Sequence, residues 1–188
     1  MYTRKSRLTV QQQSKLIEHF VTGSTARAAS EIIGIQANTA IRFFMRLRQL
    51  IAGNLPSYEL SGEVEADESY FGGVRKGTRG RGAAGKVAVF GLLKWGGRVY
   101  TAIIPNAKTE TLLPIIQEKV TPDSIVYTDF FRSYNALDVS DFYHRRINHS
   151  KLFARGKNHI NGIENFWNQA KRSMRKFNGI KPENFTGF

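Results

Sequence analysis

The apolar positions change their period along the chain, and the change separates two regions. Residues 9–22, TVQQQSKLIEHFVT, place Ile17, Phe20 and Val21 on one side of a helix that Gly23 ends. A second short helix is expected from about Thr25 to Ile33 and is broken by Gly34. A third is expected over 36–51, where Ala40, Phe43, Phe44, Leu47, Leu50 and Ile51 build an apolar stripe. Residues 53–62, GNLPSYELSG, contain Gly, Pro and Ser without any period and read as a linker. Strand patterns follow at 63–71 (EVEADESYF), 86–95 (KVAVFGLLKW) and 98–104 (RVYTAII), the last two joined tightly through Gly96 and Gly97. TETLLPIIQEK at 109–119 predicts a helix with Pro114 in its interior, 124–128 a fourth strand, and about 159–177 a long final helix after a less regular stretch. The expectation is a small all-α domain over 1–52, a linker over 53–62, and an α/β domain over 63–188 in the order strand-strand-strand-helix-strand-helix.

The polar faces of these helices carry the first chemical hints. Opposite the apolar stripe of the third helix lie Thr39, Arg42, Arg46 and Gln49. Three short helices, a Gly turn before the third and a basic, amide-bearing face are what a helix-turn-helix needs to lay a helix in the major groove. Gln36, Asn38, Thr39 and Arg42 are the expected base readers. The same pattern is also met by a plain three-helix bundle whose arginines only form a solvated face. On the final helix, Ile160, Ile163, Trp167, Ala170 and Met174 form an apolar stripe, bordered by Asn161, Glu164, Asn168, Lys171 and Arg175. That spacing sets a carboxylate at the margin of the buried face, two turns from a cation.

Charge sharpens the partner class. The chain holds 28 Lys and Arg against 15 Asp and Glu, a net charge of +13. Residues 1–57 carry eight basic and two acidic side chains, and residues 144–177 carry nine and one. Clustered positive charge of this size points to nucleic acid. With 41% hydrophobic residues the chain can bury a core. It has no apolar run long enough to cross a bilayer and no signal-peptide pattern, so a cytoplasmic, nucleoid-associated protein is expected. The absence of cysteine excludes disulfides, thiolate zinc sites and cysteine nucleophiles, and leaves oxygen and histidine ligands for any metal.

Three carboxylates stand out. Asp67 shares a strand face with Glu63, Glu65 and Ser69, because side chains alternate along a strand. Asp129 directly follows the apolar run SIVYT, and Glu164 lies on the final helix. An aspartate at a strand end is on its own more often a turn or capping residue. Together, beside a sheet core, such acids are costly to bury unless a cation compensates them.

The ordered set Asp67-Glu68-Ser69-Tyr70-Phe71-Gly72-Gly73, Tyr127-Thr128-Asp129 and Asn161-Gly162-Ile163-Glu164-Asn165-Phe166-Trp167 with Lys171 resembles the ISXO-like group of DDE-superfamily insertion-sequence transposases. The basic run Arg75-Lys76-Gly77-Thr78-Arg79-Gly80-Arg81-Gly82 is similar to that family as well. The resemblance implies an RNase H-like core with a mixed sheet. It also implies that Asp67 and Asp129 are metal-binding aspartates, Glu164 the third acid and Lys171 the basic residue after it. Some relatives use Asn at the third position, which leaves Asn161 as an alternative to Glu164. The family's chemistry is magnesium-dependent cleavage followed by attack of a 3′-hydroxyl on target DNA. Two Mg2+ ions about 4 Å apart suit an in-line phosphoryl displacement, and Mn2+ is the expected substitute. Contacts to double-stranded DNA, both element ends and target, are expected from Gln36, Asn38, Thr39, Arg42, Arg46, Arg75, Lys76, Arg79, Arg81, Arg145, Arg146, Lys171, Arg172 and Arg175. A homodimer is expected because two ends must be joined.

Other signals lead elsewhere and fail on context. Gly80-Arg81-Gly82-Ala83-Ala84-Gly85-Lys86 mimics a nucleotide-binding loop, but it runs into a strand and Val87 stands where Ser or Thr is required, so no nucleotide cofactor is expected. His144, His149 and His159 lack zinc spacing and read as phosphate contacts or exposed side chains. Tyr70, Tyr127 and Tyr134 read as packing aromatics and not as recombinase nucleophiles. Two rivals remain: a DNA-binding regulator or relic without catalysis, and a structure-selective nuclease of the same fold. The ending KPENFTGF, soon after the final helix, raises a shortened copy of a longer protein as a further reading.

Overall fold

Short polar side chains start the first two helices. Thr9 forms a capping box with Gln12 at the head of α1 (Val10–Val21), and Thr25 accepts from the Ala28 N–H at the head of α2 (Ala26–Ile33). Gly34 ends α2 in the left-handed region (φ 74°), which an L side chain adopts only with strain. Then α3 runs over Ala37–Gly53. The computed structural model describes residues 7–72, 85–129, 131–147, 160–177, 180 and 185. One compact unit lies within residues 1–56 and a second within 57–186.

The helical unit is built on Leu16, Ala29, Ala40 and Phe44, with Phe20 set edge-on to Phe44 at 5.2 Å. This departs from the expected stripes. Leu16 and Phe20 form the inner side of α1, while Ile17 and Val21 are exposed. Leu50 and Ile51, near the C-terminal end of α3, are exposed too.

In the second unit, β1 (Glu63–Phe71), β2 (Val87–Lys94), β3 (Arg98–Ile104), α4 (Thr109–Lys119), β4 (Ile125–Thr128), β5 (Tyr143–Arg146) and α5 (Asn161–Met174) follow in order. The sheet order is β3-β2-β1-β4-β5, antiparallel among the first three strands and parallel across β1, β4 and β5. A 3-10 segment, Arg132–Val139, links β4 to β5. The first four strands, α4 and α5 match the expected elements, and α4 continues through Pro114 with Leu112 and Ile116 buried on either side. β5 was not expected: YHRR has no apolar alternation, and as the edge strand it needs little. Inside the expected linker, Leu60 is fully buried and bonded to the α4 end through Lys119 O and Thr121 N.

Each face of the sheet has its own apolar layer. Val64, Ala66, Phe90, Leu92 and Val126 meet Leu112 and Ile116 of α4 and Tyr134 and Leu137 of the 3-10 segment. On the opposite face, Phe71, Val89 and Tyr127 meet Ile160, Ile163 and Trp167. Among the described residues no helix is long and apolar enough to cross a membrane.

Candidate functional site

β1 is the middle strand, and its alternation delivers Glu63, Glu65, Asp67 and Ser69 to the face that α5 covers. The parallel β1/β4 ladder pairs Glu65 with Tyr127, an offset of 62 (127 − 65 = 62). The same offset carried two residues further (129 − 67 = 62) sets Asp129, just past the end of β4, in the row of Asp67. Parallel neighbours sit about 4.8 Å apart, so two acids from distant sequence become neighbours across one strand gap. Asp129 is braced locally, its Oδ1 accepting the Phe131 backbone N–H at 2.9 Å.

The third acid arrives on α5, and two glycines allow the helix to come close. Gly91 is the Cα partner of Asp67 on β2, and a Cβ there would lie 2.5 Å from Trp167 Cζ2 and 3.0 Å from Ile163 Cδ1. Trp167 therefore rests directly on the backbone beside Asp67. Gly162 has the same function at the helix start, where a Cβ would lie 2.9 Å from Glu65 Oε2. Glu164, in the first turn of α5, is half-buried, whereas Asn161 is exposed.

Asp67 registers this convergence electrostatically. Its pKa is pushed up to about 7, first by burial, then by the negative charges of Glu68, Asp129 and Glu164, against a backbone hydrogen bond from Glu68 that lowers it. Asp129 and Glu164, both predicted from sequence, thus lie near enough to Asp67 for their charges to act on it. Among the described residues no three His, Asp or Glu side chains already close around a point where an ion would sit. The donors nonetheless fit a hard divalent cation: they are carboxylate oxygens, and their repulsion at Asp67 is what such a cation relieves. Asp67, Asp129 and Glu164 are the residues that could hold it.

The remaining predicted residues are distributed as follows. Lys171, Arg172 and Arg175 are exposed on α5, with Lys171 Nζ 6.0 Å from the Phe71 ring centroid. Arg145 is exposed on β5, whereas Arg146 is ion-paired with Asp138. In the helical unit Gln36, Asn38, Arg42 and Arg46 are exposed and Thr39 is half-buried. Arg75, Lys76, Arg79 and Arg81 lie outside the described residues, as do His149 and His159.

His144 departs from the expectation of a phosphate contact or exposed side chain. Its side chain is 2% exposed, with Nδ1 2.6 Å from Asp138 Oδ1 and Nε2 2.8 Å from Thr128 Oγ1. Burial depresses its pKa; Asp138 opposes that shift and Arg146 reinforces it. Thr128 Oγ1 also lies 2.8 Å from the Asp129 carbonyl, so this buried group braces the turn that carries Asp129. Tyr127 and Tyr134 are packing aromatics, as expected, and each also donates to a carboxylate: Tyr127 to Glu63 at 3.2 Å and Tyr134 to Glu68 at 2.9 Å. Sequence reasoning did not single out Glu65, Gly91 or Gly162. The only signal for Glu65 was that it shares a strand face with Asp67.

Comparison with known proteins gives the family of the chain. Residues 59–186 match the family described as the ISXO2-like transposase domain. A transposase-like protein of Haemophilus influenzae is 66% identical over 88 residues, 47% of this chain and 72% of that protein. A protein in transposable element ISH50 of Halobacterium salinarum is 30% identical over 159 residues, 75% of this chain, and the chain spans 54% of its length. Among solved structures, a chain of the simian T-cell lymphotropic virus intasome in complex with PP2A regulatory subunit B56 gamma overlaps 92% of this chain and 65% of its own length, at 12% identity and a TM-score of 0.41, too weak to bear on the argument. The match across the whole sheet unit, with all three acids inside it, makes the chain a member of the ISXO2-like family of DDE insertion-sequence transposases.

Proposed function

We propose that this chain cuts the ends of its insertion sequence and joins them to target DNA, with Asp67, Asp129 and Glu164 as the active-site acids of an RNase H-like core. The observation that carries the reading is geometric: the β1/β4 register sets Asp129 in the row of Asp67, and α5, which brings Glu164, packs on that same face; the pKa of Asp67 there is pushed up to about 7, first by burial and then by Glu68, Asp129 and Glu164. The sheet supports the fold assignment, with three antiparallel strands, a helix and then two parallel strands.

In this reading the acids hold two Mg2+ ions, with Mn2+ able to substitute. Bound there, the metal would supply positive charge that stabilises the charge developing on the phosphoryl group and would favour ionisation of the attacking hydroxyl. Asp67, Asp129 and Glu164 would hold the ions through their carboxylate oxygens and orient them. The sheet beneath them excludes water from one side. Water is the nucleophile in the first step and the freed 3′-hydroxyl in the second. Lys171, Arg172 and Arg175, exposed on the helix that brings Glu164, hold the DNA backbone beside the acids, and Arg145 extends that surface. The three-helix unit reads the terminal repeats through Gln36, Asn38, Thr39 and Arg42, with Arg46 on phosphate. Joining two ends calls for a homodimer.

The test is cleavage and joining of DNA that carries the element's own ends, with Mg2+ or with EDTA, by the native chain and by Asp67→Asn and Asp129→Asn. Joined product that requires Mg2+ and disappears in both variants is the expected result. Cleavage without joining would identify a nuclease instead, and binding without cleavage a regulator.

A further inference from the structure

Glu65 lies two residues before Asp67 on the same face of β1 and is 1% exposed. Each carboxylate oxygen has a donor: Oε1 accepts Nε1–H of Trp95 at 2.9 Å, and Oε2 accepts the backbone N–H of Ile163 at 2.7 Å. Ile163 belongs to the first turn of α5, where backbone N–H groups lack partners within the helix, and it directly precedes Glu164. The helix's own N-cap, Ile160, supplies no side-chain bond, so a carboxylate from the central strand serves that end. The fit is tight, as the 2.9 Å and 3.1 Å separations from a Cβ at Gly162 to the two oxygens require. Trp95 in turn stacks on Tyr127, with centroids 5.3 Å apart and planes 6° apart, two residues before Asp129.

We propose that Glu65 is a positioning residue for the active site: it sets the depth and rotation of α5 on β1 so that Glu164 faces Asp67. The inference rests on the reading of the three acids given above. One buried side chain on the Asp67 strand holds the turn that carries Glu164, and its second donor leans on the strand that leads to Asp129. An ordinary surface cap would stabilise the helix without fixing where it sits.

The chemistry of the amide makes the role testable by rescue. Gln at position 65 must turn its NH2 toward one of two donors, Trp95 Nε1–H or Ile163 N–H, and a donor cannot satisfy a donor. Trp95→Phe removes one of them and keeps an aromatic ring over Tyr127, so a Gln at 65 can offer its oxygen to Ile163. The experiment compares the native chain, Glu65→Gln, Trp95→Phe and the double variant. Two quantities are read: hydrogen exchange at the Ile163 amide and the Trp95 indole N–H, and Mg2+-dependent end joining at limiting Mg2+. Glu65→Gln should speed exchange at one of these two donors at least about tenfold and depress joining, and adding Trp95→Phe should restore Ile163 exchange and joining to within about threefold of Trp95→Phe alone. Unchanged exchange at both donors in Glu65→Gln overturns the proposal. So does faster exchange with joining untouched, or a double variant no better than Glu65→Gln. If the native chain joins no DNA, the reading of the acids fails, and the exchange data alone decide whether Glu65 holds α5.

Discussion

Glu68 and Asp67 are adjacent on β1 and point to opposite faces of the sheet. Glu68 is 7% exposed and accepts the hydroxyl of the buried Tyr134, whose pKa rises first through its own burial and then through Glu68. Asp67 faces α5, and its pKa rises to about 7 first through its own burial, then through the charge of Glu68 and those of Asp129 and Glu164. Burial is common to both carboxylates and does not distinguish them; what distinguishes them is the company each keeps. A carboxylate given a hydroxyl donor is held by the architecture, and one set among further carboxylates is a candidate to hold positive charge. Glu65 sharpens the contrast, since it shares the Asp67 face and yet has a donor for each oxygen.

The comparison can be broken most sharply by neutralising each side. Asp67→Asn and Asp129→Asn should each lower end joining on the order of 10³-fold or more while leaving the fold intact. Wild-type joining by either variant would place the active centre elsewhere. Gly91→Ala should come next. Its methyl group must displace Trp167 or Ile163, costing about 1–3 kcal/mol in thermal or denaturant unfolding and lifting α5 off Asp67. Joining should therefore fall in this variant by more than its unfolded fraction explains.

On the architectural face the expected effect is one of stability. Tyr134→Phe removes a buried donor from Glu68 and should destabilise the chain by about 1–3 kcal/mol, with joining by the folded fraction largely kept. A variant that stays fully stable but loses joining would move Tyr134 into the active centre. The smallest effect is a pH slope. The folded pKa of Asp67, about 7, lies above its ordinary 3.8, so the folded state holds a proton that the unfolded state has released between those values. The stability this supplies is complete below about pH 4 and is lost as pH rises through about 7. Metal-free native protein should lose a few degrees of Tm over that interval relative to Asp67→Asn, and parallel curves would contradict the burial of Asp67.

Much of this was legible in the sequence. Strong periodicity announced β1 to β4, α4 and α5, and the spaced acids with their flanking motifs announced the family. What was missed depends on contacts across elements. β5 reads as a basic run, because an edge strand needs no apolar alternation, and His144 within it looked like a surface group although Asp138 and Thr128 enclose it. Leu16 rather than Ile17 faces the helical core, a one-residue rotation that a 12-residue stripe does not specify. Gly91 and Gly162 are ordinary glycines in the sequence, and only the approach of Trp167 and Glu65 shows why a side chain is excluded there.

The most direct measurement is Mn2+ binding, followed by the electron paramagnetic resonance signal of the free ion, in the native chain, Asp67→Asn and Glu68→Gln. The account predicts that Asp67→Asn weakens binding at least about tenfold while Glu68→Gln, on the opposite face, binds close to the native chain. Equal losses in both variants, or native affinity in Asp67→Asn, would contradict it.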